Sequence, residues 1–261
     1  MEKIDTILSE KENQPVPAPT ACRRCGESVP PKNVPILGWR SQDFCDKCGE
    51  ILAKEREKRE MEEHRKMTTE NFLARSGIMR GILAQMTFEN FNSQLAGKAY
   101  EIAKEYAEGF GKDTTTGLML YGKAGSGKTH LACAITRSII EQKQIQARFT
   151  RIVDLLAEIR KTFDENEQYR TENESDLIHR YTSVPLLVID DLGAEKTTDW
   201  VRQILYQIID ERWIEQKPII VTSNLNLEEL EARFEERIAS RVAALCRPVE
   251  TRDYDYRIKK L

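Results

Sequence analysis

The residues that most plainly carry chemistry are Gly122, Lys123, Ala124, Gly125, Ser126, Gly127, Lys128 and Thr129. Two glycines separated by four residues and followed by Lys-Thr give the phosphate-cradling loop pattern. Glycine lets backbone N–H groups turn inward around phosphate oxygens, and a helix starting there adds positive potential. The Lys128 ammonium would face the β- and γ-phosphates, and the Thr129 hydroxyl suits Mg²⁺. The complementary acids are Asp190 and Asp191, which follow the apolar run Leu186–Ile189. A carboxylate at the C-terminal end of a buried strand faces the crevice where open α/β sheets bind nucleotides. Asp190 is expected to hold the magnesium, and Asp191 to orient and deprotonate an attacking water. Asn224 ends another apolar run, and two readings stand for it. Its amide either contacts the γ-phosphate or lytic water, or it caps a helix over residues 225–234.

A second constellation is Cys22, Cys25, Cys45 and Cys48, two Cys-x-x-Cys pairs separated by 19 residues. Each pair offers two thiolates to one side of a metal, and together they close a tetrahedron suited to structural zinc. Paired disulfides are disfavoured in a cytosolic setting, and two symmetric pairs argue against a redox centre. Trp39 and Phe44, with Arg23, Arg24, Lys32 and Arg40 nearby, either form the core of this small module or stack on a single nucleic-acid strand. Cys133 and Cys246 read as small apolar fillers, and no chemistry is assigned to His64, His130 or His179.

The elements that must position these groups alternate between strand and helix. Apolar runs at Gly117–Tyr121, Leu186–Ile189 and 218–222 predict buried strands, and a further strand is expected around 147–150. Helical spacing is seen in Ala99, Ile102, Ala103, Tyr106, Ala107 and Phe110, and again in Val201, Ile204, Leu205, Ile208 and Ile209. A helix is also expected after Thr129 and another through Ile152, Leu155, Leu156 and Ile159. Alternation of this kind implies an α/β fold with a parallel sheet flanked by helices.

Composition fits this reading. The chain has 261 residues, 40% hydrophobic and 32% charged, enough for a packed core under a solvated surface. Lys and Arg number 40 against 43 acids, a net charge of −3, which excludes a globally basic coat and leaves any nucleic-acid contact to a local patch. No apolar run approaches a membrane span, and acidic Glu2 and Asp5 stand where a secretory signal would be basic and apolar. A soluble, cytoplasmic protein without membrane association is expected. The organisation reads as a proline-ended tail over residues 1–20, a zinc module over 21–50, a charged helical linker over 51–85 and a P-loop domain over 86–261. The charged stretch serves as a solvated linker or as an arm that binds a partner.

The P-loop, Leu186–Ala194, the Val221–Leu225 segment and Glu236–Arg241 together resemble the AAA+ ATPases of the DnaC/DnaI and IstB group, over about two-thirds of the chain. Thr87–Phe91 and the final Tyr256 and Arg257 resemble the same group. The resemblance implies an AAA+ ATPase that binds ATP, self-associates, contacts single-stranded DNA and loads a replicative DNA helicase, with an IstB-type transposition helper as the near alternative. A third reading is an adaptor switched by nucleotide that hydrolyses little. By resemblance Asn224 is the sensor-1 residue, Arg241 the arginine finger that acts on a neighbour's nucleotide, and Arg257 the sensor-2 arginine. Arg237 competes for the finger role. The group usually places Glu where this chain has Asp191, which bears on turnover speed.

Overall fold

The computed structural model describes residues 15–34, 37–92, 97–164 and 173–251. They divide into two units, one ending at Lys66 and one beginning at Met67.

In the first unit, β1 (Thr20–Ala21) pairs antiparallel with β2 (Ser28–Val29), and β3 (Lys32–Val34) with β4 (Gly38–Arg40). Helix α1 (Asp46–Arg75) starts within this unit. The buried centre consists of Cys22, Val29 and Cys48, with Phe44 and Cys45 packed against it. Phe44 thus serves the core, while Trp39 lies half-buried on β4 opposite Asn33. Three buried side chains are a small core for a fold of this size, the situation in which a cross-link or metal usually adds stability. Beyond Cys48, α1 has no fully buried residue; Glu55 pairs with Arg24, and near its C-terminal end Phe72 and Leu73 are partly buried against the core of the second unit.

The second unit is built on five strands: β5 (Gly117–Tyr121), β6 (Ala147–Arg151), β7 (Leu186–Leu192), β8 (Ile219–Ser223) and β9 (Cys246–Glu250). They form one sheet in the order β6-β7-β8-β5-β9, with every pairing parallel. β9 is the strand for which the sequence gives no periodic signal. It is an edge strand, and Pro248 within it is tolerated only at an edge.

Helices cover both faces. α2 (Lys98–Gly109) and α3 (Lys128–Ser138) pack on one side, where Leu118, Leu120, Leu186, Val188 and Ile220 join Ala99, Ala103 and Leu131. α4 (Ile152–Asp164), α5 (Glu174–Ser183), α6 (Asp199–Ile214), α7 (Leu227–Phe234) and α8 (Glu236–Leu245) contribute to the other, around Met119, Leu187, Ile189, Ile219 and Val221. The two sets alternate along each strand, as the pleat demands. Gly117 is obligatory at the start of β5, because a Cβ there would lie 1.7 Å from the Ile219 carbonyl oxygen.

Arg212 on α6 is fully buried among apolar side chains. Its guanidinium donates to the carbonyls of Tyr181, Thr182, Val184, Pro185 and Pro218. It therefore caps the C-terminal end of α5 and fastens the turn that leads into β8. Burial lowers its pKa to about 9. No helix among the described residues is long and apolar enough to cross a membrane.

Candidate functional site

The glycine-rich loop joins β5 to α3 at the C-terminal edge of the sheet. Gly122, Gly125 and Gly127 all have positive φ, at 141°, 79° and 91°. A Cβ on Gly122 would meet Thr251 Oγ1 at 2.5 Å. Thr251, just after β9, pins the loop: its N–H donates to the Tyr121 carbonyl at 2.8 Å, and its hydroxyl lies 2.6 Å from Ser126 Oγ. Lys128 is buried, and its Nζ donates to the carbonyls of Gly122 and Lys123, each at 2.7 Å, and to Asn224 Oδ1 at 2.9 Å. The ammonium and the N-terminal N–H groups of α3 thus converge on one loop, the electrostatic requirement for a phosphate cradle.

Asn224 is not a helix cap. α7 starts at Leu227 and is capped by Asn226, whose side chain accepts from the Glu229 N–H. The Asn224 amide faces Lys128 instead.

Asp190 is 2% exposed on β7 and accepts from Thr222 Oγ1 at 2.7 Å. Burial, reinforced by the adjacent Asp191 charge, pushes its pKa up to about 6, while the Thr222 and Thr129 hydroxyls and Lys128 pull it down. A buried carboxylate beside a threonine hydroxyl is a hard-oxygen donor set, which suits Mg²⁺. Thr222 Oγ1 also accepts the Asp191 N–H at 2.9 Å. Asp191 is exposed and left-handed (φ 59°), in a bulge between Ile189 and Leu192.

Beside these groups lies a cavity of about 630 Å³, within the size range of ligand pockets. Gly125, Gly127, Lys128, Thr129, Asp191 and Asn224 form the phosphate side of its lining. Ile82, Met86 and Phe91, with the polar Asn90, Asn92 and His130, form the rest of the lining beside Ala124. Sequence reasoning missed this part of the lining apart from the Thr87–Phe91 resemblance, because Ile82, Met86 and Asn90 sit in a connection without periodic pattern and His130, on α3, has no partner nearby in sequence.

The arginines stand elsewhere. On α8, Arg241 donates through Nε to Asp210 Oδ1 at 2.6 Å, and its guanidinium lies 3.8 Å from the centre of the Trp213 ring. Arg237 is exposed and lines a small groove with Arg202, Tyr206 and Phe234. Neither lines the nucleotide cavity of its own chain. Arg257 lies outside the described residues.

In the first unit the four cysteine sulfurs lie within 4.8 Å of one another, and Cys25 Sγ is 3.7 Å from Cys45 Sγ. Tetrahedral ligation with Zn–S bonds of about 2.3 Å places sulfurs about 3.8 Å apart, so the set fits zinc. Backbone N–H groups, that of Cys45 foremost, lower the Cys22 pKa to about 6 and favour its thiolate. Cys133 and Cys246 are buried away from this set.

Comparison with known proteins follows this geometry. The family model described as IstB-like ATP binding protein matches residues 39–261. The replicative helicase loader DnaC of Buchnera aphidicola subsp. Baizongia pistaciae is 30% identical over 184 residues, covering 70% of this chain and 72% of that protein. DnaC of Escherichia coli K12 is 29% identical over 182 residues, 69% and 71% of the two chains. A crystal structure of the DnaC helicase loader superposes with a TM-score of 0.57 at 25% identity, covering 64% of this chain and 97% of that one. The matched family residues begin after Cys22 and Cys25, so the cysteine cluster rests on its own geometry. The chain belongs to the IstB-like family of ATP-binding AAA+ proteins, and its relatives there include the DnaC helicase loaders.

Proposed function

We propose that this protein is an ATP-hydrolysing loader of a replicative DNA helicase. The observation that carries the reading is the convergence of Lys128, Asp190, Asp191 and Asn224 at one sheet edge, in a chain 30% identical to a DnaC loader. Lys128 and the α3 N-terminus bind the phosphates of ATP, and Thr129 and Asp190 hold Mg²⁺. When bound, the metal neutralises charge on the phosphates. Asp191 takes the proton of the attacking water, and Asn224 orients that water against the γ-phosphate. Arg241 of one subunit acts on the nucleotide of the next, and Arg257 acts on its own. Subunits therefore self-associate through the AAA+ domain and pass single-stranded DNA. The four cysteines hold one structural zinc, and that module grips the helicase in the cytoplasm.

The test is reconstitution with the purified hexameric replicative helicase of the same organism. Co-elution of the two proteins, and ATP-dependent transfer of helicase onto circular single-stranded DNA, is the expected result. The family model carries the IstB name, which favours transposition help as the second reading. Failure to bind helicase, with binding to a transposase encoded beside the gene, would overturn the first in favour of the second.

A further inference from the structure

His130 sits two residues into α3, immediately after the magnesium threonine, and sequence reasoning gave it no partner. In the structure its Nε2 lies 2.8 Å from the carbonyl oxygen of Thr87, 43 residues earlier. A carbonyl only accepts, so Nε2 carries the proton. The Phe91 ring stands edge-on to His130, with centres 4.9 Å apart, and is itself stacked on Tyr100 at 5.6 Å. Phe91 and His130 both line the nucleotide cavity.

The segment that carries Phe91 has little regular structure. A short 3₁₀ turn covers Gly81–Gln85, and residues 86–92 after it form neither helix nor strand. Such a segment holds its place through side-chain ties, and α3 supplies two. Arg137 donates to the Ala84 carbonyl at 2.7 Å, and His130 donates to that of Thr87. His130 alone of the two also lines the cavity.

We propose that His130 is a positioning residue that clips the base-side wall of the nucleotide cavity to the helix rising from the phosphate loop. Phosphate recognition and base recognition then share one rigid element, so a triphosphate seated on the loop meets a preformed wall for its base. The inference rests on the nucleotide reading above and goes beyond it, because it assigns the base-binding half of the site to a tie outside the phosphate loop.

The experiment compares the parent, His130→Ala, His130→Gln and Lys128→Ala as full chains. Affinity is measured for ATP and for inorganic tripolyphosphate, the latter by competition at millimolar concentration. Loss of one hydrogen bond and one aromatic contact should weaken ATP binding by about tenfold in His130→Ala. Tripolyphosphate affinity should stay unchanged, and Lys128→Ala should lose both ligands. Gln keeps a donor near the Nε2 position and should recover part of the lost ATP affinity. Hydrogen exchange without ligand gives the second readout: amides of residues 84–92 should exchange faster in His130→Ala, with those of the phosphate loop unchanged. Parental ATP affinity together with parental exchange would overturn the proposal, as would equal loss of ATP and tripolyphosphate. Failure of the parent to bind ATP would remove the nucleotide reading, while the exchange comparison would still decide whether His130 holds the wall.

Discussion

Asp190→Asn should stabilise the second unit at neutral pH while removing its magnesium-dependent response to ATP. Asp190 is 2% exposed, and its pKa is pushed up to about 6, chiefly by burial. In an unfolded chain the same carboxyl titrates near 3.9. Between these values the folded state holds a proton that the unfolded state has released, so stability falls as pH rises. A shift of roughly two units corresponds to about 3 kcal/mol, fully present below pH 4 and lost above pH 6. Asparagine retains an acceptor for Thr222 and has no charge to desolvate. The variant should therefore match the parent below about pH 4, exceed it by about 1.5 kcal/mol at pH 5, and exceed it by up to about 3 kcal/mol at pH 7.5. Urea unfolding at pH 5, 6, 7 and 8, without Mg²⁺ or nucleotide, measures the difference and cancels titrations common to both chains. Trp39→Phe in both leaves Trp200 and Trp213 as the fluorescent reporters, since the chain has three tryptophans. Adding Mg²⁺ and ATP at 100 times the dissociation constant should stabilise the parent by about 2.7 kcal/mol and the variant by far less. Parallel stability curves from pH 5 to pH 8 would refute the reasoning, because a carboxylate that costs nothing to ionise is not desolvated.

Four further outcomes are expected. Asp191→Asn should bind ATP with parental affinity and hydrolyse it at least about 100-fold more slowly, the scale of a lost general base, as phosphate release will measure. Native mass spectrometry should count one zinc per chain. Cys22→Ser should lose that zinc and the ordered N-terminal unit, yet leave ATP affinity near parental, because the nucleotide cavity is lined wholly by the second unit. Arg241→Ala and Lys128→Ala chains, each inactive alone, should regain partial ATPase activity when mixed, since a finger supplied by a neighbour is worth ~10³-fold or more; no recovery between variants shown to assemble would move the role to Arg237.

What the sequence made legible divides along physical lines. Three strands of the sheet, β5, β7 and β8, announce themselves because a parallel strand covered on both faces must be a continuous apolar run, as Leu186–Ile189 is. β6 is an edge strand in which Ala147 and Phe149 alternate with Arg148 and Thr150. β9 lies at the edge, where Arg247, Pro248 and Glu250 are tolerated, so its pattern reads as a loop. Thr251 inherits that invisibility, although it pins the phosphate loop. Arg212 was concealed by residue type. The apolar stripe Val201, Ile204, Leu205, Ile208 continues at 212 by helical spacing, but a guanidinium there reads as a surface charge. The carbonyls that satisfy it come from the end of α5 and the turn before β8, contacts that only the fold creates. The phosphate loop needed no such help, since its ligand-facing groups are consecutive in the chain. The base-side wall needed the fold entirely, because His130 meets Thr87 and Phe91 across about 40 residues.

The acid pair shows how a bulge converts two adjacent residues into two different tools. In a regular strand, side chains alternate between faces. Leu187 and Ile189 point into one core, so Asp191 would follow them into it, where a charged carboxylate is costly. The pairing register prevents this. Ile189 stands opposite Val221 and Leu192 opposite Ser223, three steps along β7 against two along β8. One extra residue is thereby inserted, and Leu192 rejoins the core in place of Asp191. The inserted residue takes a left-handed conformation and turns toward the cavity, while Asp190 stays buried against Thr222. Aspartate and asparagine tolerate that conformation better than other side chains with a Cβ. Asp191→Asn therefore changes the chemistry at the cavity without straining the bulge, whereas a β-branched residue there would disturb the backbone that places both acids.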